Sequence, residues 1–329
     1  MATTYLVTGG TGFIGSAVVK CLLRAGANVR TLDNDSRGHA RKLGDAAAHV
    51  EQHTGDIRDA AAVSRAVRGA DCVVHLAYVN GTEFFYSRPE LILDVAVKGM
   101  VNVLDACREH SVGQLVLASS SEVYQVPPSV PTGEDVPLIV PDLHNPRYSY
   151  GGGKIISELM AINYGRKLFE RVVIFRPHNV YGPDMGWEHV IPQFAGRMQA
   201  LVAKHPHGPV PFPIQGTGAE TRAFIHVDDA ARAIVRVITQ GKHLNVYNVG
   251  RDDEVTVADL VRKVAAWFGR EVEVVPGPLQ PGSTPRRCPD VSKVRALGWE
   301  PTVSLAAGLA STLDWYVANA GAAPTTRAA

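Results

Sequence analysis

Apolar residues in the first half of the chain come in short runs, separated by longer stretches whose apolar positions recur at helical spacing. Tyr5-Leu6-Val7, Asn28 to Leu32, Cys72 to Leu76, Leu115 to Ala118 and Val172 to Phe175 read as buried strands, with a further short one ending before Gly55. The stretch opening at Ser16, Leu91 to His110 (with Val95, Val97, Val101, Val103 and Leu104) and Gly151 to Leu168 read as helices. Strand and helix in strict alternation predict an α/β, Rossmann-type, doubly wound parallel sheet with right-handed crossovers. Ligands of such a sheet bind beyond the carboxyl ends of its strands.

After about Tyr181 the pattern loosens. Prolines gather at Pro206, Pro209, Pro211 and Pro213 and again at Pro276, Pro278, Pro281 and Pro285, with helical stretches such as Val257 to Phe268 between them. This predicts a smaller C-terminal substrate-binding lobe with long functional loops. Asn245 to Val249 has the look of a strand that returns to the sheet. The expected division is therefore 1–180, with a returning segment near 223–250, and a second lobe made mainly of 181–329.

Thr8-Gly9-Gly10-Thr11-Gly12-Phe13-Ile14-Gly15 lies between the first strand and the first helix. Glycines at 9, 12 and 15 let a pyrophosphate approach the backbone and aim the helix N-terminus at it, which predicts dinucleotide binding. Asp33 ends the second strand, where a carboxylate binds the adenosine ribose hydroxyls and repels a 2′-phosphate, so the expected cofactor is NAD. Arg37, four residues on, is the one feature that would welcome a phosphate. Asp56 is placed to bond the adenine amino group or to cap the next helix, with Asp59 a competing cap.

Composition narrows the partners. The chain has 329 residues, 46 % hydrophobic and 20 % charged, with a formal net charge of +1. Near-neutrality gives no reason to expect nucleic acid or an anionic membrane. No apolar run approaches the ~20 residues that span a bilayer. The chain enters a strand at once, which leaves the expectation of no leader and a cytoplasmic location. Cys21, Cys72, Cys107 and Cys288 are scattered without metal spacing, so free thiols and no metal are expected.

Candidate chemistry sits in two segments, Ser119 to Tyr124 past a strand end and Tyr150-Gly151-Gly152-Gly153-Lys154 at a helix start. Tyr150 and Lys154 are four apart and share a helix face. A free tyrosine, with a pKa of about 10, is a poor base at neutral pH. A nearby ammonium and a cationic nicotinamide would lower that value. Tyr150 then takes the proton of a substrate hydroxyl while Ser120 holds that hydroxyl in line, and Lys154 also reaches the nicotinamide ribose. Tyr148 competes with Tyr150, but its partner four residues on is Gly152.

Taken with Arg176-Pro177-His178-Asn179-Val180-Tyr181-Gly182-Pro183, Gly216-Thr217-Gly218, Thr221 to Asp229, Arg286 to Asp290 and Leu297 to Pro301, these motifs resemble the extended short-chain dehydrogenase/reductases, in their nucleotide-sugar epimerase, dehydratase and decarboxylase branch. The resemblance runs from residue 1 to about residue 315. It implies Ser120, Tyr150 and Lys154 as catalytic trio. It implies that Phe13, Ile14, Ile57, Leu76 and Ala77 join Gly9, Gly12, Gly15, Asp33 and Asp56 around NAD. It implies that Asn179, Arg222, Arg287 and Tyr78 bind a nucleotide-diphosphate sugar, guanidinium forks being well matched to a diphosphate. The bland alternative for the two arginines is pairing with Glu220 or Asp290. The resemblance also implies a homodimer built on Leu91–His110 and Gly151–Leu168.

Glu122 separates the branches. Plain 4-epimerases tend to carry small residues after the catalytic serine or threonine, 4,6-dehydratases carry Asp-Glu, and UDP-glucuronate decarboxylases carry Ser-Glu, as in Ser121-Glu122. Ser121 in place of aspartate lacks the acid that expels hydroxide. The expected activity is NDP-sugar epimerisation through transient oxidation at sugar C4, with decarboxylase-like or dehydratase chemistry as the alternative. A carbonyl reductase of other substrates, or a non-catalytic NAD-binding protein, fits less well. Glu122 is a candidate base, or else only a loop-bonding group. Tyr78 to Pro89 and Met185 to His189 are expected to shape the pocket.

Overall fold

The computed structural model describes residues 2–278 and 284–322. Pro281 and the chain end beyond 322 lie outside the described residues. Seven parallel strands form the central sheet. They are β1 (Thr4–Thr8), β2 (Asn28–Asp33), β3 (Val50–Thr54), β4 (Cys72–His75), β5 (Gln114–Ala118), β6 (Arg171–Pro177) and a returning strand Asn245–Val249. Across the sheet the order is returning strand, β6, β5, β4, β1, β2, β3. The winding direction reverses between β1 and β4, so the crevice at their carboxyl ends is the expected ligand position.

Period-2 alternation assigns each strand's side chains to two cores. Val7, Val74, Val116, Val173 and Phe175 face one layer. Leu6, Val73, Leu115, Leu117, Val172 and Ile174 face the other. Helices α1 (Phe13–Arg24) and α7 (Val227–Gln240) cover the first face, through Val18, Leu22, Ile234 and Val237. Helices α2 (Ala60–Val67), α4 (Pro89–Glu109) and α5 (Tyr148–Leu168) cover the second, and a short α3 (Thr82–Ser87) precedes α4. Each such aliphatic side chain contributes roughly 1.5–3 kcal/mol by leaving water. A third core joins α6 (Val190–Lys204), α8 (Val257–Trp267), the C-terminal helix Leu305–Ala318 and the strand Val210–Pro213, through Phe194, Phe212, Leu260 and Leu313.

Expected and observed elements differ in detail. Helix α4 starts at Pro89 because proline's fixed φ and missing N–H suit the first helical position. Helix α5 starts one turn earlier than expected, at Tyr148, since the turns Tyr148 N to Asn145 O and Ser149 N to Pro146 O roll directly into it. Thr221–Ala223, Glu254–Thr256 and Arg286–Arg287 form a small polar sheet that the apolar pattern does not announce. All four cysteines are free thiols. No helix among the described residues is long and apolar enough to cross a membrane.

Candidate active site

The crevice at the β1/β4 switch is a cleft of about 600 Å³. Its walls hold Gly9, Gly12, Phe13, Ile14, Gly15, Asp33, Asp56, Ile57, Leu76, Ala77, Tyr78, Ser120, Glu122, Tyr150, Lys154, Asn179 and Arg287. Sequence positions 9 to 287 are thus gathered around one space. Tyr148 and Arg222 are not on that wall.

At one end the glycine loop meets α1. Gly9 has φ of +72°, and a Cβ there would lie 2.8 Å from the Ala77 nitrogen. A Cβ on Gly15 would lie 2.0 Å from the Gly9 carbonyl oxygen, so only glycine lets the helix approach the loop this closely. Gly12 caps α1 without a side-chain hydrogen bond, and the first turn carries no acid. The orphan N–H groups therefore meet no competing anion, as a pyrophosphate site requires. Asp33 accepts from Thr11 N (3.1 Å) and Asp35 N (3.0 Å), which fixes its carboxylate at the cleft edge. Arg37, also on the cleft wall, pairs with Glu188. Asp56 accepts from Asn34 and Arg58, which hold its pKa down at about 2, while Asp59 caps α2 through Ala61 N and Ala62 N. The residues present fit NAD.

At the other end stands Tyr150, buried and stacked on Phe85 with ring centroids 4.9 Å apart. Tyr78 meets the same ring edge-on at 5.2 Å. Three consecutive glycines at the start of α5 oppose helix formation by roughly 1 kcal/mol each, but two of them admit neighbours. A Cβ on Gly153 would strike the Tyr78 hydroxyl at 2.4 Å, and one on Gly151 would lie 3.0 Å from the Glu122 carbonyl oxygen. The close fit brings α5 against the segment Ser121–Tyr124 and against Tyr78.

Lys154 is buried and donates to the Ala118 carbonyl (2.7 Å), its Nζ 3.8 Å from the Tyr78 ring centre. Burial pulls its pKa down to about 7, against the opposing charge of Glu158 one turn further on. Tyr150 corrects an expectation. Its pKa is not depressed but pushed up to about 12, chiefly by burial, with the Ser120 hydrogen bond acting the other way and the Glu122 charge adding to the rise. Within the chain alone the Tyr150 phenol holds its proton at neutral pH. His75 is held neutral by burial, its pKa down to about 3, and Nδ1 shares a 2.8 Å hydrogen bond with Thr8 Oγ1.

Ser120 Oγ accepts from Glu122 N at 3.1 Å. The Glu122 carboxylate pairs with Arg287, and Arg147 stands 4.0 Å away. Burial raises the Glu122 pKa, but Arg287, then Arg147 and Arg222, outweigh it and the carboxyl lies below its ordinary value. Glu122 is thus neither a loop-bonding group nor a raised-pKa acid. Asn179 has φ of +40° and donates to the Ala223 carbonyl (2.9 Å). Arg222 and Arg287 are direct partners across parallel strands. Arg222 donates to the Thr221 (2.7 Å) and Thr284 (2.7 Å) carbonyls rather than to Glu220, and Arg287 bonds Glu122 rather than Asp290. A buried network supports the floor: Arg176 bonds Glu158 (2.6 Å) and the Tyr124 hydroxyl (2.8 Å), and that hydroxyl donates to Asn248 (2.7 Å). His189 lies at the start of α6 on the cleft wall, without a capping bond from its side chain.

Phe85, within the Tyr78 to Pro89 segment expected to shape the pocket, is the apolar wall behind Tyr150. One residue escaped the sequence reading: Arg147 is the guanidinium beside Glu122. Arg147 is three residues before Tyr150, so helical spacing would have found it had α5 been started one turn earlier.

The fold and cleft define an NAD-dependent α/β enzyme of sugar-nucleotide type, and the chain belongs to the NAD dependent epimerase/dehydratase family, whose model matches residues 5–250. It is 32 % identical to a dTDP-4-dehydro-6-deoxy-D-allose reductase of Streptomyces bikiniensis, over 95 % of this chain and 96 % of that one. Among solved structures it resembles a UDP-glucose 4-epimerase of Thermus thermophilus in complex with NAD (TM-score 0.80, 30 % identity, 96 % of this chain and 99 % of that one). It also resembles a dTDP-glucose 4,6-dehydratase of Streptomyces venezuelae with NAD bound (TM-score 0.82, 32 % identity, 97 % and 98 % of the two chains).

Proposed function

We propose that this enzyme withdraws the C4 hydrogen of a nucleotide-diphosphate sugar to give a transient 4-ketone and returns it to give the C4 epimer. The observation that carries the reading is the meeting of Ser120, Tyr150 and Lys154 in one cleft with the glycine loop at one end and Arg287 at the other. Ser120 holds the C4 hydroxyl, and Tyr150 accepts its proton. NAD, when bound, supplies the hydride acceptor. Its positive ring is also the charge that Tyr150 lacks within the chain, since Lys154 is engaged by Ala118 and Tyr78. Residues 1–180 with 223–250 hold NAD, and the remainder, through Arg287, holds the nucleotide together with Asn179 of the first part.

Arg147 supports a second reading. A guanidinium 4.0 Å from Glu122, which itself lines the cleft, is a ready partner for a C6 carboxylate. A UDP-uronate would then be the substrate, with loss of carbon dioxide from the 4-keto acid. Product identification after incubation with UDP-glucose, dTDP-glucose and UDP-glucuronate decides. A C4 epimer without net NADH supports the first reading, and a pentose with carbon dioxide replaces it by the second.

The same reading includes a homodimer. Leu93, Val97 and Val101 on α4 are exposed at four-residue spacing, and Ile156, Leu159 and Leu168 are exposed on α5, which packs beside it. These form an apolar face that a second copy of the two helices would cover.

A further inference from the structure

Glu122 and Arg287 come from segments 165 residues apart and meet inside the cleft. Apart from Glu122, the Arg287 guanidinium has one polar contact among the described residues, a long 3.4 Å hydrogen bond to Thr284 Oγ1. Its strand partner Arg222 is committed to the Thr221 and Thr284 carbonyls. Arg287 is therefore the more readily recruited of the two guanidinium groups. It cannot serve a diphosphate and Glu122 equally, because two anions would crowd one fork in a half-buried space.

We propose that the substrate's diphosphate and the Glu122 carboxylate compete for Arg287, so that arrival of the nucleotide takes Arg287 from Glu122. The proposal rests on the reading of Arg287 as a diphosphate ligand. A diphosphate carries more charge than one carboxylate and presents several acceptors to the fork, so it wins the exchange. Glu122 is then left with Arg147 as its nearest cation, two residues from Ser120 and within electrostatic reach of Tyr150. The nucleotide end of the cleft thereby sets the electrostatics of the sugar end. Glu122 acts in this as a positioning residue for Arg287, whatever chemistry the sugar undergoes.

Titration calorimetry of the full chain, saturated with added NAD, with UDP and with dTDP tests this. Wild type, Glu122→Gln, Glu122→Ala and Arg287→Met are compared, each checked for an unchanged melting profile. Removal of the competing charge should tighten binding of the preferred nucleoside diphosphate by about tenfold in both Glu122 variants. A residue needed only for structure would weaken binding or leave it alone. Arg287→Met should weaken binding by about tenfold or more, and adding Glu122→Gln to it should restore nothing. Unchanged or weaker binding in folded Glu122 variants, with Arg287→Met still weak, overturns the competition alone. Wild-type affinity in Arg287→Met, or no binding of either nucleotide by wild type, overturns the reading of Arg287 and the competition with it.

Discussion

Lys154 points its ammonium at the face of Tyr78, 3.8 Å from the ring centre, and at a backbone carbonyl, with the Glu158 carboxylate one turn further on as its opposing charge. Burial outweighs that charge and lowers its pKa to about 7. In the unfolded chain the same group titrates near 10.5. Between these values the unfolded state binds more protons, so this lysine makes stability rise with pH from about 7 to about 10.5. Below pH 7 both states are protonated and the full penalty is present. Lys154→Met should therefore melt higher than wild type at pH 6–7 in NAD-free protein. A gain of about 1 kcal/mol would be roughly 2–4 °C. The gain should shrink as pH approaches 10. Melting curves of both proteins across this range check it, and a difference independent of pH would contradict the assignment.

Tyr150→Phe removes one oxygen from a ring whose packing against Phe85 and Tyr78 is apolar. The fold and the NAD pocket should be untouched, with NAD affinity within about threefold of wild type. Turnover should fall by roughly 10²–10⁴, the usual weight of a positioned acid–base group. Steady-state rates and NAD titration by fluorescence separate the two. Tyr148→Phe should be near neutral, because Tyr148 does not reach the cleft.

Cofactor choice should follow Asp33. With Arg37 engaged by Glu188, the fixed carboxylate dominates the adenosine end, and NAD should raise the melting temperature more than NADP at equal concentration. Asp33→Ala should narrow that gap mainly by weakening NAD. A greater shift with NADP in wild type would refute the argument.

Light scattering at micromolar concentration should give twice the chain mass. Leu159→Arg, which places a charge on the exposed face of α5, should give a monomer of unchanged secondary structure. A monomeric wild type would remove the homodimer.

The sheet is legible in the sequence because buried parallel strands are uninterrupted apolar runs, and Val172 to Phe175 or Leu115 to Ala118 have no other plausible fate. The glycine loop is legible because its spacing is a steric requirement. The polar ladder that sets Arg222 beside Arg287 is not, since Thr221–Ala223 and Arg286–Arg287 lack an apolar period and read as loop. The Glu122–Arg287 pair is invisible for the same reason, being made by chain segments with no pattern of their own. The sign of the Tyr150 shift is illegible too. A four-residue spacing reveals a lysine on the same helix face, but not the burial that raises the Tyr150 pKa against the Ser120 hydrogen bond.

Glu122→Gln tests the chemistry at the sugar. Glutamine keeps the shape and the backbone bond to Ser120 but no longer holds Arg287 by charge. If the enzyme is a 4-epimerase, Ser120 and Tyr150 carry the reaction and turnover should stay within about tenfold of wild type. Tenfold is about 1.4 kcal/mol of barrier, comparable to one lost hydrogen bond. Loss of the anion also relieves the Tyr150 phenolate of a like charge, so the alkaline-shifted acid limb of the rate profile should move to lower pH. If Glu122 instead acts at C5 or C6, oxidation at C4 proceeds and the next step does not. Enzyme-bound NADH absorbance near 340 nm should then build up, about one per active site, with a 4-keto sugar released on denaturation. Stopped-flow absorbance with each candidate sugar nucleotide reads this directly. Wild-type-like turnover without accumulated NADH supports epimerisation, and stalled NADH transfers the assignment to the decarboxylase or dehydratase branch.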